Sequence, residues 1–184
     1  IRRQRQMCIR DSGYPVCTIM GLLDVCSGLF TRVLALPLFT HDMKGVIGVH
    51  DSLGKGDILV GDRAFCSYAH FAVLNSRGVF GCFRLHQRRP TDRLGLVRWE
   101  KPQSRPVWMS AEQFASLPAL VMVRIIRHQI VERGMRTQEV FIATTLPEEQ
   151  WSDERVIALY ARRWEIETCF NHLKTTMGMN VLKC

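Results

Sequence analysis

Two acidic residues stand where a carboxylate can do chemistry. Asp62 closes the run Asp57-Ile58-Leu59-Val60-Gly61-Asp62. A short apolar run bounded by Gly and Asp reads as a buried strand, so Asp62 falls where that strand meets a loop. Glu167 lies in a long helical pattern from Ser152 to about Met177. Ser152 is the expected N-cap, Asp153 and Glu154 fill the first turn and suit the helix dipole, and Gly178 is the expected stop. At about 100° per residue, Leu159, Ile166, Phe170, Leu173 and Met177 gather into one narrow core stripe. Tyr160, Arg163, Glu167 and Lys174 form a second stripe beside it, and Glu165 falls on the far side. Geometry thus selects Glu167 over Glu165 as the carboxylate at the core's edge. Arg163 and Glu167 are also four residues apart, the spacing of an ion pair on a solvated flank. Spacing alone leaves both readings open.

The elements that must position these residues read as a mixed α/β layer. Two apolar runs, Val16–Asp24 and Leu29–Leu38, flank Cys26-Ser27-Gly28 and predict a β-hairpin. Met43 to Leu53 suits a short helix. The Asp62 strand is followed by a helix capped by Ser67, then by a strand over Val79–His86. Strands are expected at Leu94–Trp99, Ala119–Val131 and Glu139–Thr145, with a hairpin turn at Arg133-Gly134. Ser110-Ala111-Glu112-Gln113 has the form of a capping box.

The 184 residues are 47% apolar and 23% charged, which excludes disorder as the main state. The net charge of +8 favours a polyanionic partner but does not identify one. No apolar run reaches the roughly 18 residues a membrane span needs, and no secretory signal is evident. The seven cysteines show no zinc spacing and are expected as buried free thiols in a reducing cytoplasm. Residues 1–12 look like a non-native leader, since Gln6 to Ser12 resembles sequencing-adapter read-through. The alternative is a genuine basic arm.

Gly61-Asp62-Arg63-Ala64-Phe65 before a helix, and Tyr160-x2-Arg163-x3-Glu167-x6-Lys174, together resemble the second-Asp and Glu motifs of DDE transposases of bacterial insertion sequences. The nearest likeness is to the "insertion sequence four" family. Phe83 to Arg89 and Leu173 to Met179 carry the resemblance further. It implies a ribonuclease-H-like fold, a mixed sheet flanked by helices, with a β-rich insertion between the second Asp and the Glu. The core would comprise residues 13–86 and 140–184, and the insertion 87–139.

The resemblance implies cleavage and transfer of DNA strands at the ends of an insertion sequence. Two Mg²⁺ (or Mn²⁺) ions about 3.5–4 Å apart would be held by carboxylates, for which hard oxygen ligands are suited. Asp62 and Glu167 would be catalytic and ligate metal. Tyr160, Arg163 and Lys174 would contact DNA phosphates. Arg63 would organise the site or the DNA, or serve as a structural ion-pair partner. The partners would be transposon ends, target DNA and further copies of the chain in the synaptic complex, with no membrane. Arg84, Arg88, Arg89, Arg93, Arg98, Lys101 and Arg105, with Trp99 and Trp108 among them, suit a DNA surface. Both tryptophans could equally be hairpin packing.

The family also needs a third carboxylate, an Asp on the first core strand, whose Asp-Gly context is absent. Asp24 lies in a strand-like run but follows the place of the family's second strand, which disfavours it as a ligand, and Asp42 and Asp51 read as loop and helix residues. A first strand missing upstream would explain this, and the fragment is then expected to bind metal weakly and to be catalytically incompetent. The other readings are an inactive DNA-binding remnant or decoy, and a related metal-dependent nuclease.

Overall fold

Turn chemistry fixes the first hairpin. In this computed structural model, which describes residues 17–86, 93–130 and 138–176, β1 (Cys17–Asp24) pairs antiparallel with β2 (Leu29–Pro37). Asp24 Oδ1 accepts from Cys26 N at 2.9 Å and Oδ2 from Ser27 Oγ at 2.7 Å. Gly28 closes the turn at φ +72°. Both Asp24 carboxylate oxygens therefore serve the turn. The Ser27 hydrogen bond, then that from Cys26, holds its pKa below the ordinary value.

The stretch expected as one short helix is split. It forms α1 (Asp42–Ile47) and a 3-10 turn over His50–Ser52. Next come β3 (Ile58–Gly61), a 3-10 turn over Arg63–Phe65, α2 (Tyr68–Ser76) and β4 (Phe80–Arg84). Ser67 caps α2 as expected, its Oγ accepting from His70 N at 3.2 Å. Then follow β5 (Gly95–Glu100), α3 (Ala111–Ser116), β6 (Leu120–Ile130) and β7 (Gln138–Thr144). The capping box at Ser110 and Gln113 is formed in both directions. The expected turn at Arg133-Gly134 and the leader at 1–12 lie outside the described residues.

The larger sheet runs β3-β4-β7-β6-β5. β3 and β4 are parallel and the other neighbours antiparallel, so the sheet is mixed. The β-rich stretch between Asp62 and Glu167 thus extends the core sheet through β5 and β6. Its two faces are covered by different elements. Leu59, Phe83, Val121, Val123 and Ala143 share a core with Met20 of the hairpin, α1 and α2. Cys82, Ile126, Val140 and Ile142 pack with Val156, and Ile58, Val60, Leu159 and Tyr160 join them.

The helix expected over residues 152–177 is two helices, α4 (Asp153–Ala161) and α5 (Trp164–Thr175). Between them Arg162 N bonds Leu159 O, Arg163 N bonds Tyr160 O and Glu165 N bonds Arg162 O. These three-residue closures tighten the helix to 3-10 pitch. The Arg162 side chain reaches the Val25 carbonyl in the hairpin turn and pairs with Glu165 at 2.7 Å. Phe170 of α5 packs on Phe30 of β2 with centroids 5.3 Å apart. The core stripe is consequently only partly realised: Ile166, Phe170 and Leu173 are half-buried. Among the described residues, no helix is long and apolar enough to cross a membrane.

Five cysteines are described: Cys66 and Cys82 are buried, Cys169 is half-buried, and Cys17 and Cys26 are exposed. The expectation of buried thiols fails for the last two because they occupy the hairpin's solvent side and its turn.

Phe71 is fully buried and packs against Phe83 at 5.1 Å and Trp99 at 5.6 Å between ring centroids. Phe71→Ala should cost about 3–5 kcal/mol in urea unfolding. A loss below about 1 kcal/mol would contradict this packing.

Candidate active site

The register Gly61↔Phe83 between β3 and β4 decides on which side Asp62 acts. Side chains alternate along a strand. Asp62 keeps an extended backbone, with φ −81° and ψ 176°. It therefore follows Ile58 and Val60 to the face covered by α4, and Arg84 follows Cys82 to the same face. A Cβ on Gly61 would lie 2.9 Å from Phe65 Cδ2 and 3.1 Å from Phe83 Cδ1. Glycine there lets the turn after Asp62 fold back against Phe83.

Within that turn Phe65 N bonds Asp62 O at 3.0 Å and Cys66 N bonds Arg63 O at 3.2 Å. The half-buried Asp62 carboxylate does not cap the turn. It makes no ion pair among the described residues.

Arg163 stands at the α4–α5 junction and gathers the rest. Its Nη1 donates to Glu167 Oε1 at 2.5 Å. Its side chain is only 14% exposed, against 38% for Glu167, so the expected ion pair exists at a half-buried edge rather than on a solvated flank. The guanidinium carbon lies 5.9 Å from the Tyr160 ring centroid and 4.8 Å from that of Trp164. Burial opposes the Arg163 charge. The Glu167 hydrogen bond outweighs it together with the Tyr160, Glu167 and Asp62 charges, and the pKa rises above its ordinary value. Arg163 Nε is buried without a hydrogen-bond partner.

Burial pushes the Tyr160 phenol up to about 12, with Asp62 adding to the rise and Arg163 and Arg84 opposing it. Asp62, Arg84, Tyr160, Arg163 and Glu167 thus share one electrostatic neighbourhood. Arg63 sits exposed in the turn and Lys174 exposed two turns beyond Glu167, neither with an ion pair among the described residues.

Among the described residues, no three His, Cys, Asp or Glu side chains group as a metal site. Asp62 and Glu167 are hard oxygen donors, a set that suits Mg²⁺ or Mn²⁺. Asp24 does not add a third, because its oxygens close the hairpin turn.

Arg124 emerges only from the structure. It is 3% exposed on β6. Its Nη2 donates to Trp151 O at 2.6 Å and its Nη1 lies 3.3 Å from Asp153 Oδ1. The Nη1 contact lacks hydrogen-bond geometry, so the carbonyl is the directional anchor that seats the start of α4. A single cation inside the apolar run Val121–Ile126 was its only sequence signal. Trp99 packs edge-on against Phe71, and Trp108 joins the same core.

Residues 2–184 match the family described as transposase DDE domain. No curated protein matches the chain.

Folding raises the Tyr160 pKa from 10.0 to about 12. Between those values the unfolded chain binds fewer protons, so this group's contribution to stability is complete below the lower value and is lost as pH rises through the upper. Absorbance titration of wild type and Tyr160→Phe should differ only at the alkaline end. A phenol lost near its ordinary value would contradict the burial.

Proposed function

The chain belongs to the transposase DDE domain family, and from that membership we propose that it is the catalytic core of an insertion-sequence transposase that cuts DNA strands at element ends and transfers them to a target. The family acts on DNA and generally uses divalent metal ions. The observation that carries the proposal is an Asp62 carboxylate without an ion pair among the described residues, in the same electrostatic neighbourhood as the Tyr160–Arg163–Glu167 cluster.

In this reading Asp62 and Glu167 hold Mg²⁺ or Mn²⁺. Bound there, the cation supplies Lewis-acid activation of water or a 3′-hydroxyl and stabilises the leaving oxygen. Arg163 orients Glu167 at the core's edge through their hydrogen bond. Tyr160 remains a phenol at neutral pH and can donate a hydrogen bond to a phosphate oxygen. Arg63, Arg84 and Lys174 add charge for the DNA backbone. The enzyme would hold two ions and work in the cytoplasm as a homo-oligomer on paired ends. Two carboxylates hold a cation less tightly than three, so with Asp62 and Glu167 the only ligands assigned among the described residues, weak cation binding and no catalysis are expected.

Two measurements test the proposal. In a salt titration of duplex DNA binding, log affinity should fall linearly with log salt, and Lys174→Ala should reduce the slope by about 1. A flat response would remove DNA from the reading. In Mn²⁺ calorimetry, Asp62→Asn should abolish the weak wild-type isotherm, and an unchanged isotherm would sink the assignment of Asp62. Mg²⁺-dependent plasmid nicking by wild type that Asp62→Asn removes would overturn the expected incompetence.

A further inference from the structure

Behind the Asp62 turn lies a buried pair of histidines that the chemistry above does not use. His50 and His70 are both 0% exposed, and their Nε2 atoms are 3.1 Å apart. The rings are within 8° of parallel, with centroids 5.1 Å apart. That separation exceeds the nitrogen–nitrogen gap by roughly the reach of the two rings, so they meet edge to edge rather than face to face. Such geometry is that of an N–H···N hydrogen bond.

The proton order follows from one carbonyl. His70 Nδ1 lies 2.8 Å from the Phe65 oxygen, which can only accept, so Nδ1 carries a proton. Both rings are neutral in this environment. Burial, opposed by the Phe65 carbonyl and helped by His50, lowers the His70 pKa to about 3. Burial again, with Arg77 adding to it and Asp51 opposing, lowers that of His50 to about 4. Those two charged groups are paired with each other at 3.0 Å. A neutral imidazole has one N–H, so His70 Nε2 is an acceptor and His50 Nε2 is its donor. His50 Nδ1 remains a bare acceptor, buried without a hydrogen-bond partner.

The carbonyl at the end of this relay belongs to the turn that presents Asp62. The same Phe65 oxygen also accepts from Ser67 N at 3.1 Å, while Phe65 N bonds Asp62 O at 3.0 Å. The His70 ring is itself held against Phe83, with centroids 4.9 Å apart and planes 22° apart. Phe83 is the β4 partner of Gly61.

We propose that His70 is a positioning residue for Asp62, pinning its turn through the Phe65 carbonyl, and that His50 fixes the tautomer in which His70 does so. The inference deepens the reading of Asp62 as a cation ligand and rests on it. A pair that only filled the core would be indifferent to which side-chain atom donates; this relay requires a donor at the Nδ1 position.

Long-range proton–nitrogen correlation spectra at neutral pH read both tautomers in the wild-type chain. His70 is expected as Nδ1–H and His50 as Nε2–H; His70 protonated at Nε2 alone overturns the proposal. Two variants then test the positioning. His70→Asn keeps an amide donor near the Nδ1 position, and His70→Gln does not. Hydrogen exchange of the Phe65 and Cys66 amides should quicken about tenfold in the Gln variant, stay near wild type in the Asn variant, and be unchanged in β4. Mn²⁺ affinity should follow the same order, falling about tenfold in the Gln variant. Equal exchange in the two variants overturns the positioning role. If exchange responds as expected but wild type binds no Mn²⁺, the reading of Asp62 fails while the pinning of its turn stands. The tautomer measurement needs no variant, so the relay stays open to refutation even if the Gln variant does not fold.

Discussion

Four residues of parallel pairing, from Ile58↔Phe80 to Gly61↔Phe83, sort the chemistry of this chain onto two sides. Alternation sends Asp62 and Arg84 to the face under α4, and sends Phe83 to the face under α2, where His70 stacks on it. A slip of one residue would exchange the faces and bury Asp62 against α2. Two glycines guard the register. A Cβ on Gly81 would come within 2.7 Å of both Phe71 Cε1 and Phe83 Cε2. Gly61 meets the same crowding one strand over. The aromatic cluster that gives the larger core its stability therefore also sets where the carboxylate can stand.

On the α4 side, Arg163 resolves an electrostatic conflict. A carboxylate at a half-buried core edge is costly unless paired, and a cation there is costly too. The short contact between Arg163 and Glu167 meets both costs, with the Tyr160 ring alongside. The tightened turn between α4 and α5 sets the approach of the two side chains. It is held from outside the helix by Arg162 on the Val25 carbonyl. A hairpin turn near one end of the chain thus helps shape the helix junction near the other.

This explains which features were legible in the sequence. The Ser67, Ser110 and Ser152 caps span three residues each and could be read from local pattern. The Asp62 strand end also follows from a short apolar run, whereas burial does not separate Glu167 from Glu165, whose side chains are 38% and 41% exposed. The break at Arg162-Arg163 could not be read so, because no proline or glycine signals it and its anchor is 137 residues away. His50 and His70, 20 residues apart on separate elements, become partners only after the 3-10 turn that follows α1 and helix α2 come together on one face. Asp24 was legible in part. Its bonds to Cys26 and Ser27 form a local turn of the kind Asp favours, a role that the adjacent Cys26-Ser27-Gly28 turn already favours over that of a third ligand.

Net charge alone did not separate structural cations from those left for a polyanion, and the ion pairs do. Arg77, Arg124, Arg127, Arg162 and Arg163 each lie against a carboxylate. Their charge is already matched inside the molecule, and for the buried Arg124 and Arg163 it is poorly screened by salt. Arg63 and Lys174 are exposed and lack such a match among the described residues, and they stand on the turn and the helix that carry the two candidate carboxylates. Counterions gathered by a polyanion are released mainly where its phosphates meet cations of this second kind. A salt dependence of binding would therefore report on such unmatched cations, Arg63 and Lys174 among them, rather than on the total charge of +8. A basic chain could carry the same total with every cation internally spent and show almost no such dependence.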